Sequence, residues 1–221
     1  MAERNEKEVL HKGWDWNSVS EDVWNDASAE FLPVSVNWAK KYRSMLDVGA
    51  GKGRHSFYMN KMGLDVKAID LSESSIEIIN RKNVELGCNV KALQGDMTKL
   101  PFDSEEFDCA ICFHVIYHTS FEGIGKALSE IRRVLKSGGE LFVTFNSKDN
   151  PSFKQGEAVN DYTIYKTSGV EKDIPHTYVD FEDVQALMKG FKLIRVQRIK
   201  EFVRSGAPAS GSHFFVLACK E

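Results

Sequence analysis

Residues 45–55 read MLDVGAGKGRH, and this stretch decides the fold. A short apolar run over 45–48 predicts a strand, and a helix is expected to begin at Arg54. The glycines between them predict a tight turn that brings bare backbone and a helix N-terminus up to a ligand. Because a GxGxG spacing is a weak signal on its own, an ordinary tight turn without a ligand stays the alternative.

Three aspartates follow the ends of the first three predicted strands: Asp47, Asp70 and Asp96. Open, mostly parallel α/β sheets bind their ligands at this carboxyl edge. Asp70 comes about 20 residues after the glycines, where a carboxylate can accept both hydroxyls of a ribose. The alternatives are a helix-start acid at Asp70 and a solvated turn residue at Asp96.

The glycine spacing narrows the class of ligand. A dinucleotide fingerprint reads GxGxxG, and Arg54 stands where its last glycine belongs. A P-loop is excluded because the sequence lacks GxxxxGK[ST]. Asp47 beside the turn disfavours a pyrophosphate and favours a ligand with a positive amino group. A ribose-bearing ligand with a cationic end is therefore predicted, and S-adenosylmethionine (SAM) has this chemistry.

Beyond the glycine turn, short apolar strands alternate with amphipathic helices. This order predicts an α/β fold with an open, mostly parallel sheet that is covered on both faces. The last two predicted strands, 192–203 and 213–219, follow each other without a helix between them. We therefore expect these two strands to pair antiparallel at one edge of the sheet.

The organisation along the chain predicts an N-terminal helical cap over residues 1–43 and one domain over 44–221. A broadly helical pattern over 21–42 is broken by Pro33. Residues 147–179, rich in Asn, Ser, Gly and Pro, are interpreted as an irregular substrate-side insert.

Tryptophans are concentrated in the predicted N-terminal cap, at Trp14, Trp16 and Trp24. Two interpretations stay open for them. They can form a lid that folds over a bound ligand, or they can belong to a helix that simply packs on the sheet.

Length and composition exclude several classes of protein. With 221 residues, 42% of them hydrophobic and 28% charged, the chain is globular rather than disordered or fibrous. A net charge of −3, with no basic run, does not favour nucleic acid or an anionic membrane as partner. No apolar stretch reaches the ~20 residues that span a bilayer, and the N-terminus lacks a secretion signal, so a cytoplasmic location is expected.

Cysteine and histidine spacing gives no indication of a metal. Cys109 and Cys112 lie three apart on a predicted strand, so their side chains point to opposite faces and are expected to be packing residues. No pair of histidines shows metal-ligand spacing within a helix, and no metal site is expected. The candidates for a catalytic base are His118, which follows the fourth predicted strand, and His176, which lies in the insert.

Four stretches together resemble a known family, and they cover roughly residues 44–146. The matching stretches read MLDVGAGKGRHSFYM, VKAIDLSESSIEII, GDMTKLPFDSEEFDCAICFHVIYH and ALSEIRRVLKSGGELFVTF. In this order and spacing they are similar to the class I SAM-dependent methyltransferases, specifically the small single-domain group. The resemblance implies a Rossmann-like three-layer sandwich whose mostly parallel, seven-stranded sheet has an antiparallel last strand.

The resemblance also implies roles for individual residues. The glycine turn would approach the methionine part of SAM, with Asp47 near its ammonium. Asp70 would hold the ribose diol, and Asp96 would meet the adenine amino group. The expected cofactor-binding set comprises Asp47, Gly49, Ala50, Gly51, Gly53, Asp70, Leu71, Asp96, Met97, Phe113 and His118. Residues 114–118 would line the reaction end, while Met97 and Phe113 can alternatively be simple core residues.

The function implied by the resemblance is transfer of a methyl group from SAM to a small-molecule acceptor, giving S-adenosylhomocysteine (SAH). A non-catalytic module that binds SAM or SAH is the main alternative, and a nicotinamide oxidoreductase is opposed by Arg54. A nucleic-acid substrate is further disfavoured because Phe113-His-Val-Ile stands where base-amino methylases have Asn/Asp-Pro-Pro-aromatic. The sequence carries no signal for the methylated atom or for the oligomeric state.

Overall fold

The computed structural model describes residues 13–19, 25–169, 171–201, 203–204, 207–208 and 211–221. Its helices are α1 (Leu32–Lys41), α2 (Arg54–Lys61), α3 (Glu73–Leu86), α4 (Phe121–Val134) and α5 (Phe181–Leu187), with 3-10 turns at Trp16–Ser18 and Pro151–Lys154. Its strands are β1 (Ser44–Val48), β2 (Asp65–Asp70), β3 (Lys91–Gln94), β4 (Phe107–Cys112), β5 (Leu135–Ser147), β6 (Glu157–Ala158), β7 (Thr163–Tyr165), β8 (Pro175–Val179), β9 (Phe191–Lys200), β10 (Val203–Arg204), β11 (Ala207–Pro208) and β12 (Ser212–Lys220).

Seven of these strands form the main sheet in the order β3-β2-β1-β4-β5-β12-β9. The first five strands pair in parallel, whereas β12 runs antiparallel to both β5 and β9. The carboxyl ends of β1, β2, β3 and β4 consequently meet at one edge. The α/β fold with its mostly parallel sheet and antiparallel edge pair is confirmed.

Two apolar layers cover the two faces of the sheet. On one face α4 and α5 pack against β1, β4 and β5, and on the other face α1, α2 and α3 pack against the same strands. Cys112 belongs to the first layer and Cys109 to the second, and both are buried free thiols. The prediction that these two cysteines point to opposite faces and pack is confirmed.

The segment interpreted as an irregular insert contains more order than its composition indicates. Strands β6, β7 and β8 form a small antiparallel meander, and the end of β8 pairs in parallel with the end of β5. The prediction of an irregular segment over 147–179 is therefore wrong for these strands. Because they are only two to five residues long, they carry too little periodicity to be recognised in the sequence.

The ends of two helices differ from expectation. α1 begins at Leu32, so Pro33 occupies its first turn, where a missing N–H costs nothing, instead of breaking a longer helix. The second difference is at α3, whose N-cap is Ser72 with its Oγ accepting from the Ser75 amide, whereas the spacing of Ser74 and Glu77 in the sequence is that of a capping box. None of the helices described here is long and apolar enough to cross a membrane.

Candidate functional site

The turn between β1 and α2 has the backbone conformation that only glycine adopts readily. Gly49 and Gly51 have φ angles of +70° and +54°, in the left-handed region. A Cβ at Gly49 would lie 2.4 Å from a methyl carbon of Val115, and a Cβ at Gly51 would lie 2.5 Å from the ring of Trp16. Glycine is required at both positions because Val115 and Trp16 pack directly against the backbone of the turn.

Asp70 connects the end of β2 to this turn. Its Oδ2 accepts from the Gly51 amide at 2.8 Å, and its Oδ1 accepts from the Ser72 amide at 2.9 Å. Burial raises the pKa of the Asp70 carboxyl, and the two amide hydrogen bonds work in the opposite direction by stabilising the charged form. A carboxylate offers about four lone-pair sites, so one on each oxygen is left for further donors.

Asp47 is the acid that is expected near a ligand ammonium. Its side chain is buried, and its Oδ2 accepts a 2.6 Å hydrogen bond from the Ser56 hydroxyl in α2. It is not among the residues that line the pocket described below. Burial raises the pKa of Asp47 to about 6. The carboxylate thus joins β1 to α2, and its contact with a ligand ammonium stays a prediction.

A pocket opens above the turn, at the carboxyl edge of the sheet. Nine of the expected cofactor-binding residues line it: Gly49, Ala50, Gly51, Asp70, Leu71, Asp96, Met97, Phe113 and His118. Gly53 does not, because it forms the left-handed N-cap of α2, and a Cβ there would lie 2.8 Å from the Phe57 ring. Its role is packing between α2 and its surroundings.

One end of the pocket combines apolar walls with an acid. Leu71 and Met97 line it, and Met97 also packs against the core. The Oδ1 of Asp96 accepts from both the amide and the hydroxyl of Thr98, at 2.7 and 2.8 Å. These bonds fix the loop after β3, and the Gly95 amide joins it to β2 by donating to the Asp70 carbonyl.

The other end of the pocket is aromatic and holds histidines. Phe113 packs against His55 and lies beneath the Arg54 guanidinium, which is 5.1 Å from its ring centroid. His114 has a φ of +56°, an uncommon conformation for a residue with a side chain and one that is found at functional sites. Burial lowers the pKa of His118 to about 3, so its imidazole is neutral at physiological pH.

The N-terminal segment 13–19, which we call the strap, lies across the pocket. Trp14 stacks on Trp16 with ring centroids 5.2 Å apart, and both residues line the pocket. The Trp16 amide donates to Ser74 Oγ at 3.1 Å, and the Lys52 ammonium donates to the Val19 carbonyl at 2.7 Å. The lid interpretation is favoured for Trp14 and Trp16, while Trp24 lies outside the described residues.

Sequence reasoning missed several residues of the pocket. Gly13, Arg54, His55, Ile69 and Gly95 line it but were assigned no contact with a ligand. Arg54 and His55 directly follow the glycine turn, so their position at the helix N-terminus was a usable signal. His176, expected on the substrate side, is buried in β8 and does not line the pocket, although its ring lies 4.6 Å from that of His118.

Comparison with known proteins agrees with this geometry. Residues 46–143 match the family described as a methyltransferase domain. An uncharacterized protein of Methanocaldococcus jannaschii is 30% identical over 155 residues, which cover 70% of this chain and 57% of that protein. A ubiquinone biosynthesis O-methyltransferase of Coxiella burnetii is 27% identical over 195 residues, covering 82% of this chain and 78% of that enzyme.

A solved structure shares the fold. A SAM-dependent methyltransferase of Methanosarcina mazei superimposes with a TM-score of 0.74 at 17% identity, covering 88% of this chain and 98% of that one. The chain spans 40% to 57% of the length of the first three curated relatives that it matches. Residues 46–143 are thus similar to a methyltransferase domain, and the strand order gives the chain the fold of the Methanosarcina mazei protein.

Proposed function

We propose that this protein transfers a methyl group from SAM to a small-molecule acceptor and releases SAH. The observation that carries this proposal is the Asp70 carboxylate at the end of β2. Each of its oxygens accepts one backbone amide, from Gly51 or Ser72, and each retains a lone pair. A vicinal diol offers two donors to such a carboxylate, and the ribose of SAM carries that diol.

The rest of the pocket fits the other parts of SAM. Gly49 and Gly51 line the pocket, and without a Cβ their backbone lies directly against Val115 and Trp16, so a ligand would reach the turn beside these two side chains. The Arg54 guanidinium supplies positive charge for the carboxylate of the methionine part. Leu71 and Met97 give apolar surfaces for the adenine, with Asp96 at its amino group.

The protein's contribution to the reaction is orientation and exclusion of water. The sulfonium methyl of bound SAM is already activated, so the cofactor supplies the difficult chemistry. The strap and the aromatic wall at Phe113 would cover the bound reactants and exclude water. Holding the two reactants in the reactive orientation can lower the barrier by about 7–11 kcal/mol. His118 lines the pocket, where it can contact the acceptor, but its lowered pKa makes it a weak base, and His176 is buried off the pocket. A base role for either histidine stays a prediction from the sequence.

The proposal of a small-molecule acceptor draws on two observations. The chain has a net charge of −3, which does not favour a nucleic acid as the acceptor. The Coxiella burnetii relative, of which this chain covers 78%, is a ubiquinone biosynthesis O-methyltransferase, an enzyme of small-molecule metabolism. We therefore propose a small-molecule acceptor for this chain, without proposing that it is the acceptor of the Coxiella burnetii enzyme.

Calorimetric titration of the full chain with SAM, SAH and NAD tests the cofactor. We expect SAM and SAH to bind and NAD not to bind. Replacing Asp70 with Ala removes two charge-assisted hydrogen bonds, worth about 1.5–3 kcal/mol each, so SAM affinity should fall about 100-fold or more. The matched control is Asp65→Ala, which removes an exposed carboxylate from the other end of β2 and should leave the affinity for SAM unchanged. An unchanged dissociation constant for Asp70→Ala would place the ribose elsewhere.

Incubation of the protein with methyl-labelled SAM and a fractionated metabolite extract tests the transfer. Label appearing in a low-molecular-mass product supports the proposal. If SAM binds but no label leaves it in any fraction, the protein is a binding module and the catalytic proposal is wrong.

A further inference from the structure

Three side chains from separate parts of the chain converge beside the pocket. His118 follows β4, Glu171 precedes β8, and His176 lies within β8. One ligating atom of each residue lies within 4.8 Å of the ligating atoms of the other two. Within the described ranges, this is the only group of three His, Cys, Asp or Glu side chains with such proximity.

The hydrogen bond of His176 fixes which of its ring nitrogens faces Glu171. Its Nδ1 lies 3.0 Å from the Ile174 carbonyl oxygen, which can only accept, so Nδ1 carries the proton. The other ring nitrogen, Nε2, is the atom that faces Glu171. That atom is buried and lies 3.2 Å from the Glu171 Oε1, without the geometry of a hydrogen bond. Nε2 and the Glu171 carboxylate oxygen therefore face each other across a gap in which a proton or a metal ion can lie.

His118 adds a third donor atom to the same place. Its Nδ1 is buried and has no hydrogen-bond partner. The rings of His118 and His176 are 4.6 Å apart at an interplanar angle of 88°. A buried polar atom without a partner is rare in native proteins and calls for an explanation such as a bound ion.

The geometry points to a divalent transition-metal site formed by His118, Glu171 and His176. Two imidazoles and one carboxylate are the ligands of catalytic zinc-type sites, in which three protein ligands leave one coordination position open. The bond from His176 Nδ1 to the Ile174 carbonyl is the outer-shell contact that such a ligand requires to fix its tautomer.

The place of this site gives it a role beyond structure. His118 also lines the pocket, so the open coordination position lies next to the space assigned to the acceptor. A metal there lowers the pKa of a coordinated hydroxyl and orients it for methylation. This role rests on the proposed function, whereas metal binding itself does not.

Metal binding is measured on the full chain after chelator treatment, without SAM. Titration with Zn²⁺ should show one tight equivalent and raise the melting temperature, because a cation bound only by the folded state stabilises it. Titration with Co²⁺ should give the visible absorption of a four- or five-coordinate nitrogen–oxygen site. Failure of both ions to bind saturably would overturn the proposal, whatever the outcome of the SAM titration.

The variant Glu171→Gln tests the assignment of the ligands. Glu171 is partly exposed, so its replacement is expected to leave the fold intact, and Zn²⁺ affinity should fall at least about 10-fold, as loss of even an outer-shell partner does. The control is His213→Gln, which removes a partly buried histidine outside the cluster and should leave both the affinity and the Co²⁺ spectrum unchanged. Equal Zn²⁺ affinity in Glu171→Gln and the unmodified chain would show that the ion binds elsewhere.

Discussion

Asp47 and Asp70 end neighbouring strands, and their hydrogen-bond partners give them different tasks. Asp70 accepts backbone amides and faces the pocket, whereas Asp47 accepts the Ser56 hydroxyl beneath the turn. Both carboxylates could be located from the sequence, because an acid that follows an apolar strand lies at the carboxyl edge of a sheet. The direction of the Asp47 side chain could not, since it depends on a serine of α2 that comes into reach only in the folded chain.

The buried carboxyl of Asp47 predicts a pH-dependent effect of Asp47→Asn. Burial raises its pKa from about 4 to about 6, so between these values the folded protein keeps a proton that the unfolded chain has lost. Its contribution to stability is therefore present at low pH and is lost as the pH rises through 6. Asparagine retains an acceptor for Ser56 and carries no charge. We expect the free energy of unfolding of Asp47→Asn to exceed that of the unmodified chain by about 1–3 kcal/mol at pH 7.5, and this difference should fall to about a third of its size near pH 4.5.

Urea unfolding at the two pH values measures this difference. Asp65→Asn, which removes an exposed carboxylate from the other end of the neighbouring strand, should change stability little at either pH. A gain for Asp47→Asn of equal size at both pH values would show that the charge of Asp47 is not the cause.

At the scale of the elements, α4 shows how local sequence fixes a helix that tertiary contacts then hold. Ser120 caps its N-terminus by accepting from the Gly123 amide at 3.0 Å, and Arg132 and Arg133 lie in its last turn, where positive charge is favourable. Ile124, Leu128 and Ile131, at helical spacing, are buried against the sheet.

The cap makes a measurable contribution to stability. Ser120→Ala removes the side-chain acceptor of the Gly123 amide, so the free energy of unfolding should fall by about 1 kcal/mol. Ser129→Ala changes an exposed serine in the same helix and should alter that free energy by less than about 0.5 kcal/mol. Equal losses from both substitutions, measured by urea unfolding, would contradict the assignment of Ser120 as the cap.

Periodicity predicted the long elements and failed for the short ones. The apolar positions of α4 repeat at 3.6 residues and predict a helix over 121–135, close to the observed Phe121–Val134. Strands β6 and β7 have two and three residues, which no periodicity can identify, and β7 pairs with β8. The apolar run over 107–115 predicts a longer strand than β4, which ends at Cys112, and His114 beyond it has a left-handed backbone conformation.

At the scale of the whole molecule, the N-terminal region divides into two parts with different partners. α1 belongs to the core: Trp38 is fully buried, and its Nε1 donates to the Glu140 Oε2 at 2.8 Å. The strap instead contacts the pocket through Trp14 and Trp16. The sequence suggested one helical cap over 1–43 and left both interpretations open, because tryptophans in a core and in a lid have the same composition. A domain boundary near residue 43 stays a prediction.

Two matched tryptophan substitutions separate these parts. Trp38→Ala should lower the free energy of unfolding by about 3–5 kcal/mol, since it removes a large buried side chain. Trp16→Ala should leave stability nearly unchanged and weaken SAM binding about 10-fold, because it removes aromatic surface over the pocket. Thermal unfolding and calorimetry measure the two effects. If Trp16→Ala unfolds the protein as Trp38→Ala does, the strap is part of the core and not a lid.

The convergence of His118, Glu171 and His176 lay beyond sequence reasoning for a physical reason. Metal ligands on one helix can be recognised by their spacing in the sequence, but Glu171 lies 53 positions after His118. The pairing of β8 with the end of β5, together with the hydrogen bond from the Thr177 amide to the Tyr117 carbonyl, brings the meander beside the loop that follows β4. Topology, rather than any local pattern, creates this cluster.

Because Cys109 and Cys112 lie on opposite faces of β4, their two thiols can report separately on the opening of the two apolar layers. Each thiol is sealed within a different layer, and burial raises the pKa of both, so neither reacts while its own layer stays closed. The alkylation rate of each cysteine, followed by mass spectrometry, would thus measure how often each side of the sheet opens to solvent. A ligand that stabilises one side of the sheet would lower the alkylation rate of the cysteine on that side and leave the rate of the other cysteine unchanged.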